Sequence, residues 1–171
     1  MLTLSLLRHA KSSWADPGLD DFDRPLSERG ENAAPRMGAY MAKHGIVPEL
    51  ILSSPSARTR QTLDLVLPHL PAPPKVLYER ALYLAPASVL LKRIRKVEAK
   101  VRHAMVVGHD PGMHALAVDL AATGKPEELE ALEMKFPTAG LAVVVFDARD
   151  WSKVKPRAGR LQLFMTPKRL P

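Results

Sequence analysis

The chain has 171 residues, a net charge of +7 at neutral pH and a pI near 9.9, and 46% of its residues are hydrophobic. This length and hydrophobic content are sufficient for one core, so we expect a single domain over residues 1–171. Cysteine is absent, which excludes disulfides and thiolate metal sites and is typical of a reducing compartment, so we expect a cytoplasmic protein. No apolar run approaches the roughly 20 residues that a bilayer-spanning helix needs, so no membrane association is expected.

Short apolar runs alternate with longer helical patterns along the chain, which is typical of an α/β fold with a largely parallel sheet. Six strands are predicted, at residues 3–7, 49–52, 75–78, 104–107, 141–146 and, at the sheet edge, 161–165. Four helices are predicted to begin near Ser27, Pro55, Pro86 and Pro111. Pro35 leaves two alternatives for the first helix: a start at Ser27 with the proline inside, or a later start near Asn32.

The densest positive charge lies at residues 91–103, where lysines and arginines alternate with apolar residues at helical spacing. This pattern predicts an amphipathic helix with a solvated basic face. A clustered positive field attracts nucleic acid, but it equally attracts small phosphorylated molecules. Because no aromatic residues that could stack on bases interrupt the basic run, nucleic-acid binding is not expected.

The residues that follow the predicted strands are those suited to chemistry. In an open parallel sheet, ligands bind at the carboxyl ends of the strands. Two histidines, two arginines and one carboxylate meet at this edge from four different strands: Arg8, His9, Arg58, Glu79 and His109.

These residue types suit phosphoryl transfer, in which negative charge on three equatorial oxygens must be stabilised while a nucleophile attacks in line. Arginine binds phosphate through two charge-assisted hydrogen bonds and stays protonated at any working pH. A neutral imidazole can attack phosphorus with one ring nitrogen when the other nitrogen is held as a donor, typically by a backbone carbonyl. The sequence therefore predicts a phosphate site with a histidine nucleophile and with no metal ion or other cofactor.

Three motifs in this order resemble the signatures of the histidine phosphatase superfamily, the phosphoglycerate mutase-like group. Residues 7–12 (LRHAKS) are similar to its RHG signature, residues 53–62 (SSPSARTRQT) to its second motif and residues 107–111 (VGHDP) to its third. Residues 23–30 (DRPLSERG) and 135–139 (KFPTA) also resemble SixA-type phosphohistidine phosphatases and their close relatives.

The resemblance implies a three-layer α/β/α sandwich with a mostly parallel central sheet of about six strands and a minimal cap. It also implies that His9 becomes phosphorylated, that Arg8 and Arg58 bind the phosphate, and that His109 completes the pocket. Ser12 is expected to add a hydroxyl contact. The implied activity is that of a metal-independent phosphatase with a phosphohistidine enzyme intermediate.

Two carboxylates compete for the role of general acid. Glu79 stands where many family members carry the carboxylate that protonates the leaving group. Asp110 follows the second histidine, as in the acid-phosphatase branch of the superfamily, where a His-Asp pair supplies the proton. Because Asp110 precedes Pro111 it also suits a helix N-cap, and this second explanation favours Glu79 as the acid.

The expected substrate follows from the length of the chain. The predicted strands and helices use almost all of it, so no inserted cap is expected and the pocket should be open. An open pocket accommodates a phosphate on a protein surface, which favours phosphohistidine on a signalling protein, with a small phosphomonoester as the alternative. A non-catalytic phosphate- or nucleic-acid-binding module is the alternative from a different class, and the complete set of site residues and the absence of a reader motif disfavour it.

Overall fold

Seven strands form one sheet in a computed structural model that describes residues 1–171. In chain order they are β1 (Leu2–Arg8), β2 (Leu50–Ser53), β3 (Lys75–Tyr78), β4 (His103–Gly108), β5 (Ala121–Gly124), β6 (Leu141–Phe146) and β7 (Gly159–Met165). Their spatial order is β3-β2-β4-β1-β6-β7-β5, and β6 alone runs antiparallel to its neighbours. All six predicted strands and the mostly parallel sheet are confirmed.

The sheet has a seventh strand because Ala121–Gly124 pairs with β7. The predicted edge position of residues 161–165 is therefore wrong, since β7 lies between β6 and β5. The four residues of β5 (AATG) carry no alternating or continuous apolar pattern and follow a helix directly, so the sequence gives no strand signal there.

Five helices connect the strands: α1 (Glu28–Lys43), α2 (Ala57–Val66), α3 (Ala87–Ile94), α4 (Gly112–Leu120) and α5 (Pro126–Met134). The hydroxyl of Ser27 accepts from the backbone N–H of Gly30 at 3.2 Å, so α1 takes the earlier of its two predicted starts and contains Pro35. The basic helix predicted at 91–103 is wrong in its second half. Helix α3 ends at Ile94, and a turn then brings Val97 into the core.

Two buried clusters cover the opposite faces of the sheet. One cluster joins β1 and β4 to α3, α4 and α5, and the other joins the sheet to α1 and α2. Successive side chains of a strand point to opposite faces, so in β1 Leu4 and Leu6 enter the first cluster and Leu7 the second. This confirms the three-layer sandwich. None of the helices combines the length and the apolar character that crossing a bilayer requires.

Two glycines allow close backbone contacts beside the carboxyl edge of the sheet. A Cβ atom at Gly30 would lie 2.1 Å from the carbonyl oxygen of Lys11, and one at Gly112 would lie 1.9 Å from that of Ala85. Neither distance is possible for a side chain, so only glycine fits at these positions. The first turn of α1 is thereby held against the loop after β1, and the start of α4 against the segment before α3.

Candidate active site

His9 and His109 lie side by side because they follow two neighbouring parallel strands. Arg8 of β1 pairs with Gly108 of β4, and the backbone N–H of His9 donates to the carbonyl of Gly108 at 3.1 Å. The two imidazole centroids are 5.3 Å apart, and both side chains are buried. The predicted meeting of the two histidines at the carboxyl edge is therefore what the structure shows.

The tautomer of His9 is fixed by the backbone. Its Nδ1 lies 2.7 Å from the carbonyl oxygen of Ala10, which only accepts, so Nδ1 carries the proton and Nε2 keeps its lone pair. Burial lowers the pKa of His9 to about 3; the Ala10 bond opposes this shift, and the nearby guanidinium groups, Arg58 foremost, reinforce it. At neutral pH His9 is thus an uncharged imidazole with one nitrogen available for attack.

Arg8 is held by the segment around the KFPTA motif. Its terminal nitrogen Nη1 donates to the carbonyl of Phe136 at 3.0 Å and lies 3.5 Å from the carboxylate of Asp110. The backbone N–H of Ala139, whose φ is 58°, donates to the carbonyl of His9 at 2.9 Å and so ties the same segment to the nucleophile. These contacts occupy one end of the guanidinium, and its Nε is buried without a partner.

Arg58 enters the site from the first turn of α2 and is 3% exposed. Its Nη1 donates to the backbone carbonyl of Asp21 at 2.7 Å, and its Nη2 donates to the carboxylate of the same residue at 3.0 Å. As in Arg8, Nε is buried without a partner. Both arginines are therefore held by their terminal nitrogens.

His109 contributes a third buried nitrogen without a partner. Its Nε2 lies 2.7 Å from the hydroxyl of Ser54, while Nδ1 has no partner in the protein. Burial lowers the pKa of His109 to about 3, and the neighbouring His9 and Arg58 add to the shift. A buried polar group without a partner costs about 1–3 kcal/mol. Three such nitrogens belong to the site of His9, namely Nε of Arg8, Nε of Arg58 and Nδ1 of His109, and together they indicate a site built for an anion.

The two candidate acids have different surroundings. Both carboxylate oxygens of Glu79 accept from the guanidinium of Arg93, at 2.7 and 2.9 Å. The N-cap of α4 is Pro111, so Asp110 lies one position before the predicted cap, but its carboxylate still accepts from the backbone N–H of His114 in the first turn at 3.2 Å. Its other oxygen faces Arg8. Burial raises the pKa of Asp110, against the effect of Arg8. The structure thus brings Asp110 into contact with a site residue and pairs Glu79 with Arg93, and the acid role of either stays a prediction.

Ser12 is buried in the loop that follows the nucleophile. Its backbone pairs with that of Leu26 across the loop, which closes the segment between β1 and α1. This placement is compatible with the predicted hydroxyl contact, and that contact stays a prediction.

Three side chains of the site were not identified from the sequence: Asp21, Arg24 and Tyr83. Arg24 lies near enough to His9 to contribute to its lowered pKa, and it belongs to the DRPL run that was noted only as a resemblance. Asp21 sits among several loop aspartates and no spacing distinguishes it. The sequence carries no signal that would have assigned Tyr83.

No group of three or more His, Cys, Asp or Glu side chains is arranged so that it could hold a metal ion. The positive charge of the site comes instead from Arg8, Arg24 and Arg58, each of which affects the pKa of His9. A guanidinium cluster of this kind can neutralise a phosphoryl group directly.

Acidification should destabilise the fold, because burial lowers the pKa of His9 to about 3, that of His103 to about 4 and that of His109 to about 3. The unfolded chain binds protons near pH 6.5 that the folded chain does not. The free energy of unfolding should therefore be constant above that pH and fall below it, by up to about 1.4 kcal/mol per pH unit for each histidine. Urea unfolding at pH 7.5 and 5.5 measures this slope. His103→Gln, far from the other two, should reduce it by about a third, and equal stability of the wild type at both pH values would contradict the assignment.

Comparison with known proteins identifies the family to which this geometry belongs. The profile of the histidine phosphatase superfamily (branch 1) matches residues 4–80, which contain the first two motifs. An uncharacterized protein of Mycobacterium tuberculosis is 34% identical over 164 residues, covering 95% of this chain and all of that protein. Together with the fold and the paired histidines, these matches show that the chain belongs to the histidine phosphatase superfamily. It is a histidine-type phosphatase.

Within this superfamily the chain is similar to SixA proteins of known structure. One from Agrobacterium tumefaciens, described as a proposed phosphohistidine phosphatase, is 34% identical with a TM-score of 0.80 and covers 97% of this chain and 98% of its own. Another from Nakamurella multipartitia, described in the same way, is 28% identical with a TM-score of 0.82, over 97% of this chain and 96% of its own. The coverage of both chains shows that the phosphoglycerate mutase-like fold is present here without a large insertion.

Proposed function

We propose that the protein is a metal-independent phosphatase that transfers a phosphoryl group to His9 and then to water, and that its substrate is phosphohistidine on a signalling protein. The observation that carries this proposal is the arrangement around His9. A neutral imidazole with a free Nε2 lies beside three buried nitrogens that have no partner in the protein: Nε of Arg8, Nε of Arg58 and Nδ1 of His109.

The first step would form an N–P bond at Nε2 of His9 while the bond from phosphorus to the leaving group breaks, and the leaving group takes the electron pair of that bond and one proton. In this proposal the two guanidinium groups bond the equatorial oxygens, on which the negative charge is spread. The bound anion favours the protonated form of His109 and so opposes the burial that lowers its pKa. Its Nδ1 then donates to the phosphoryl group while Nε2 donates to Ser54.

The second step would regenerate His9. A water molecule attacks phosphorus and releases one proton to solvent. The N–P bond breaks with its electron pair on Nε2 of His9, and inorganic phosphate carries the phosphoryl group away. The bond from Nδ1 to the Ala10 carbonyl holds the ring in one orientation in both steps. His9 returns to the neutral tautomer from which it started.

The proposed substrate class is supported by the chemistry of the leaving group, by the surroundings of Glu79 and by the similarity to SixA proteins. The imidazole of phosphohistidine is a good leaving group once protonated, so this substrate needs less help from an enzyme acid than an alkyl phosphate does. Glu79, bound at both oxygens by Arg93, is poorly placed to give a proton. The similarity to SixA proteins described as proposed phosphohistidine phosphatases supports the same substrate class. The partner protein and the cytoplasmic location stay predictions.

A small phosphomonoester is the second candidate substrate, and Asp110 is the observation that favours it. Burial raises the pKa of this carboxyl group, which contacts Arg8 at 3.5 Å beside the phosphate site. A carboxyl group that retains its proton could protonate an alkoxide leaving group.

The test compares a phosphohistidine protein with glycerol phosphate at equal enzyme concentration in excess EDTA. We expect kcat/KM for phosphohistidine to be at least about 100-fold higher than for glycerol phosphate. Without a general acid in the enzyme, departure of the alkoxide of glycerol phosphate is slow, whereas departure of the imidazole is not. Asp110→Asn and Glu79→Gln are matched substitutions, and neither should slow phosphohistidine hydrolysis more than about threefold.

Three results would contradict parts of this proposal. Complete loss of activity in EDTA would overturn the metal-independent mechanism. A preference for glycerol phosphate that disappears in Asp110→Asn would establish the phosphomonoester alternative with Asp110 as its acid. If the preference for glycerol phosphate disappears in Glu79→Gln instead, Glu79 is the general acid, and its ion pair with Arg93 must open during turnover.

A further inference from the structure

One carboxylate beside the phosphate site accepts hydrogen bonds from three different side chains. Oδ1 of Asp21 accepts from Nε of Arg24 at 3.2 Å, and Oδ2 accepts from Nη2 of Arg58 at 3.0 Å and from the hydroxyl of Tyr83. Asp21 and Arg24 belong to the loop after β1, Arg58 to α2 and Tyr83 to the segment after β3. This carboxylate therefore joins the three segments that surround His9.

The bonds from Asp21 determine which edge of the Arg58 guanidinium faces the site. The backbone carbonyl of Asp21 accepts from Nη1 at 2.7 Å and its carboxylate accepts from Nη2, so the two terminal nitrogens converge on one residue. A guanidinium is planar and rigid, so binding at its terminal edge leaves the edge that contains Nε for another acceptor. In Arg58 this Nε is buried and has no partner.

The surroundings of Asp21 maintain its charge and its position. Although burial raises its pKa, the bonds from Tyr83, Arg58 and Arg24 together lower it to about 2, so Asp21 is ionised at any working pH. Phe22, the next residue, packs edge-on against the Tyr83 ring with centroids 5.0 Å apart. The Tyr83 ring in turn lies edge-on to His109 at 5.3 Å. The ring contacts therefore run from Phe22, in the loop that contains Asp21, through Tyr83 to His109.

We propose that Asp21 is a positioning residue that fixes the Arg58 guanidinium so that its Nε edge faces the transferring phosphoryl group, with Tyr83 holding the carboxylate in place. This inference rests on the proposed function, in which Arg58 binds that group. Asp21 itself does not contact the phosphoryl group. Its loss should weaken binding of the anion and of the transition state through Arg58.

The first test measures tungstate affinity and the kinetics of p-nitrophenyl phosphate hydrolysis for Asp21→Ala, Asp21→Asn and Asp23→Asn. Asp23 is the matched control because it lies in the same 3₁₀ turn, carries the same charge and is exposed. We expect Asp21→Ala to weaken tungstate binding and raise KM by about tenfold, and Asp21→Asn, which keeps an acceptor oxygen, to have a smaller effect. Asp23→Asn should stay within about twofold of the wild type. Equal values for Asp21→Ala and Asp23→Asn would overturn the inference.

A double-mutant cycle separates positioning of Arg58 from general support of the fold. In an Arg58→Ala background, Asp21→Ala should change tungstate affinity by less than about twofold, because the group that it positions is gone. A full tenfold effect in that background would overturn the inference. If Asp21→Ala does not fold, Tyr83→Phe, which removes one donor from the carboxylate, replaces it in the cycle with an expected effect of about threefold.

The Arg58→Ala variant also shows which proposal fails. If Arg58→Ala binds tungstate as the wild type does, the proposed phosphate site is wrong and the inference fails with it. If Arg58→Ala loses affinity and Asp21→Ala does not, only the inference about Asp21 is wrong.

Discussion

Replacing His9 by alanine should lower kcat by about 10⁴-fold or more, and the variant should still bind tungstate. Alanine removes the imidazole nitrogen of the site whose lone pair is free and whose tautomer is fixed by the Ala10 carbonyl. The nitrogens that bind the anion belong to Arg8, Arg58 and His109, and the substitution leaves them in place. Loss of turnover with retention of anion binding is therefore the expected result, measured by steady-state kinetics and by calorimetric titration.

A phosphoenzyme should accumulate in the wild type and be absent from His9→Ala. Rapid quenching with labelled substrate should give a protein-bound phosphoryl group that is labile in acid and stable in base, as an N–P bond is. His44→Ala is the control, since His44 is an exposed residue at the end of α1 and should leave both rate and intermediate unchanged. Wild-type turnover in His9→Ala would exclude His9 as the nucleophile.

The main features of the fold could be predicted because the strands that position the site are apolar and continuous. β1, β4 and β6 lie in the middle of the sheet and are buried on both faces. β6 and residues 104–107 of β4 are unbroken apolar runs, and Thr3 and Ser5 are the only interruptions between Leu2 and Leu7 in β1. The edge strand β5 could not be predicted, because Ala121–Gly124 is half-exposed and depends on pairing with β7. Helix α3 ends earlier than expected: after Ile94 the backbone bonds of Lys96 and Val97 reach back only three residues, a turn that the local periodicity of the basic residues does not show.

Some residues of the site could also be predicted from the sequence, and others could not. Arg8, His9 and His109 could be placed from the sequence because each lies at the end of a recognisable strand, and Arg58 because it opens the helix after another. Asp21 could not, since its importance comes from contacts with residues 37 and 62 positions away in the sequence. The pair between Glu79 and Arg93 could not be predicted either. The motif position of Glu79 suggested an acid, and only the fold shows that Arg93 of α3 binds both oxygens of this carboxylate.

Replacing Arg58 by alanine should lower kcat/KM by about 10³-fold, and Arg58→Lys by about 10²-fold. Removing one preorganised donor to developing negative charge costs about 10²–10³-fold in comparable sites, and alanine also removes the full positive charge. Lysine restores the charge as a point cation but cannot bind Asp21 with one edge and the phosphoryl group with the other, so it should recover only part of the loss.

The control for this prediction lies on the same helix. Arg60 stacks on the Tyr78 ring at 3.9 Å and donates to the carbonyl of Pro55, away from the site, so Arg60→Ala should stay within about twofold of the wild type. Comparable losses in both variants would mean that general electrostatic attraction, rather than a directed bond, dominates. A loss confined to Arg58, with partial recovery by lysine, would instead show that the planar guanidinium matters beyond its charge, because the two side chains carry the same charge and lysine lacks the planar fork of donors.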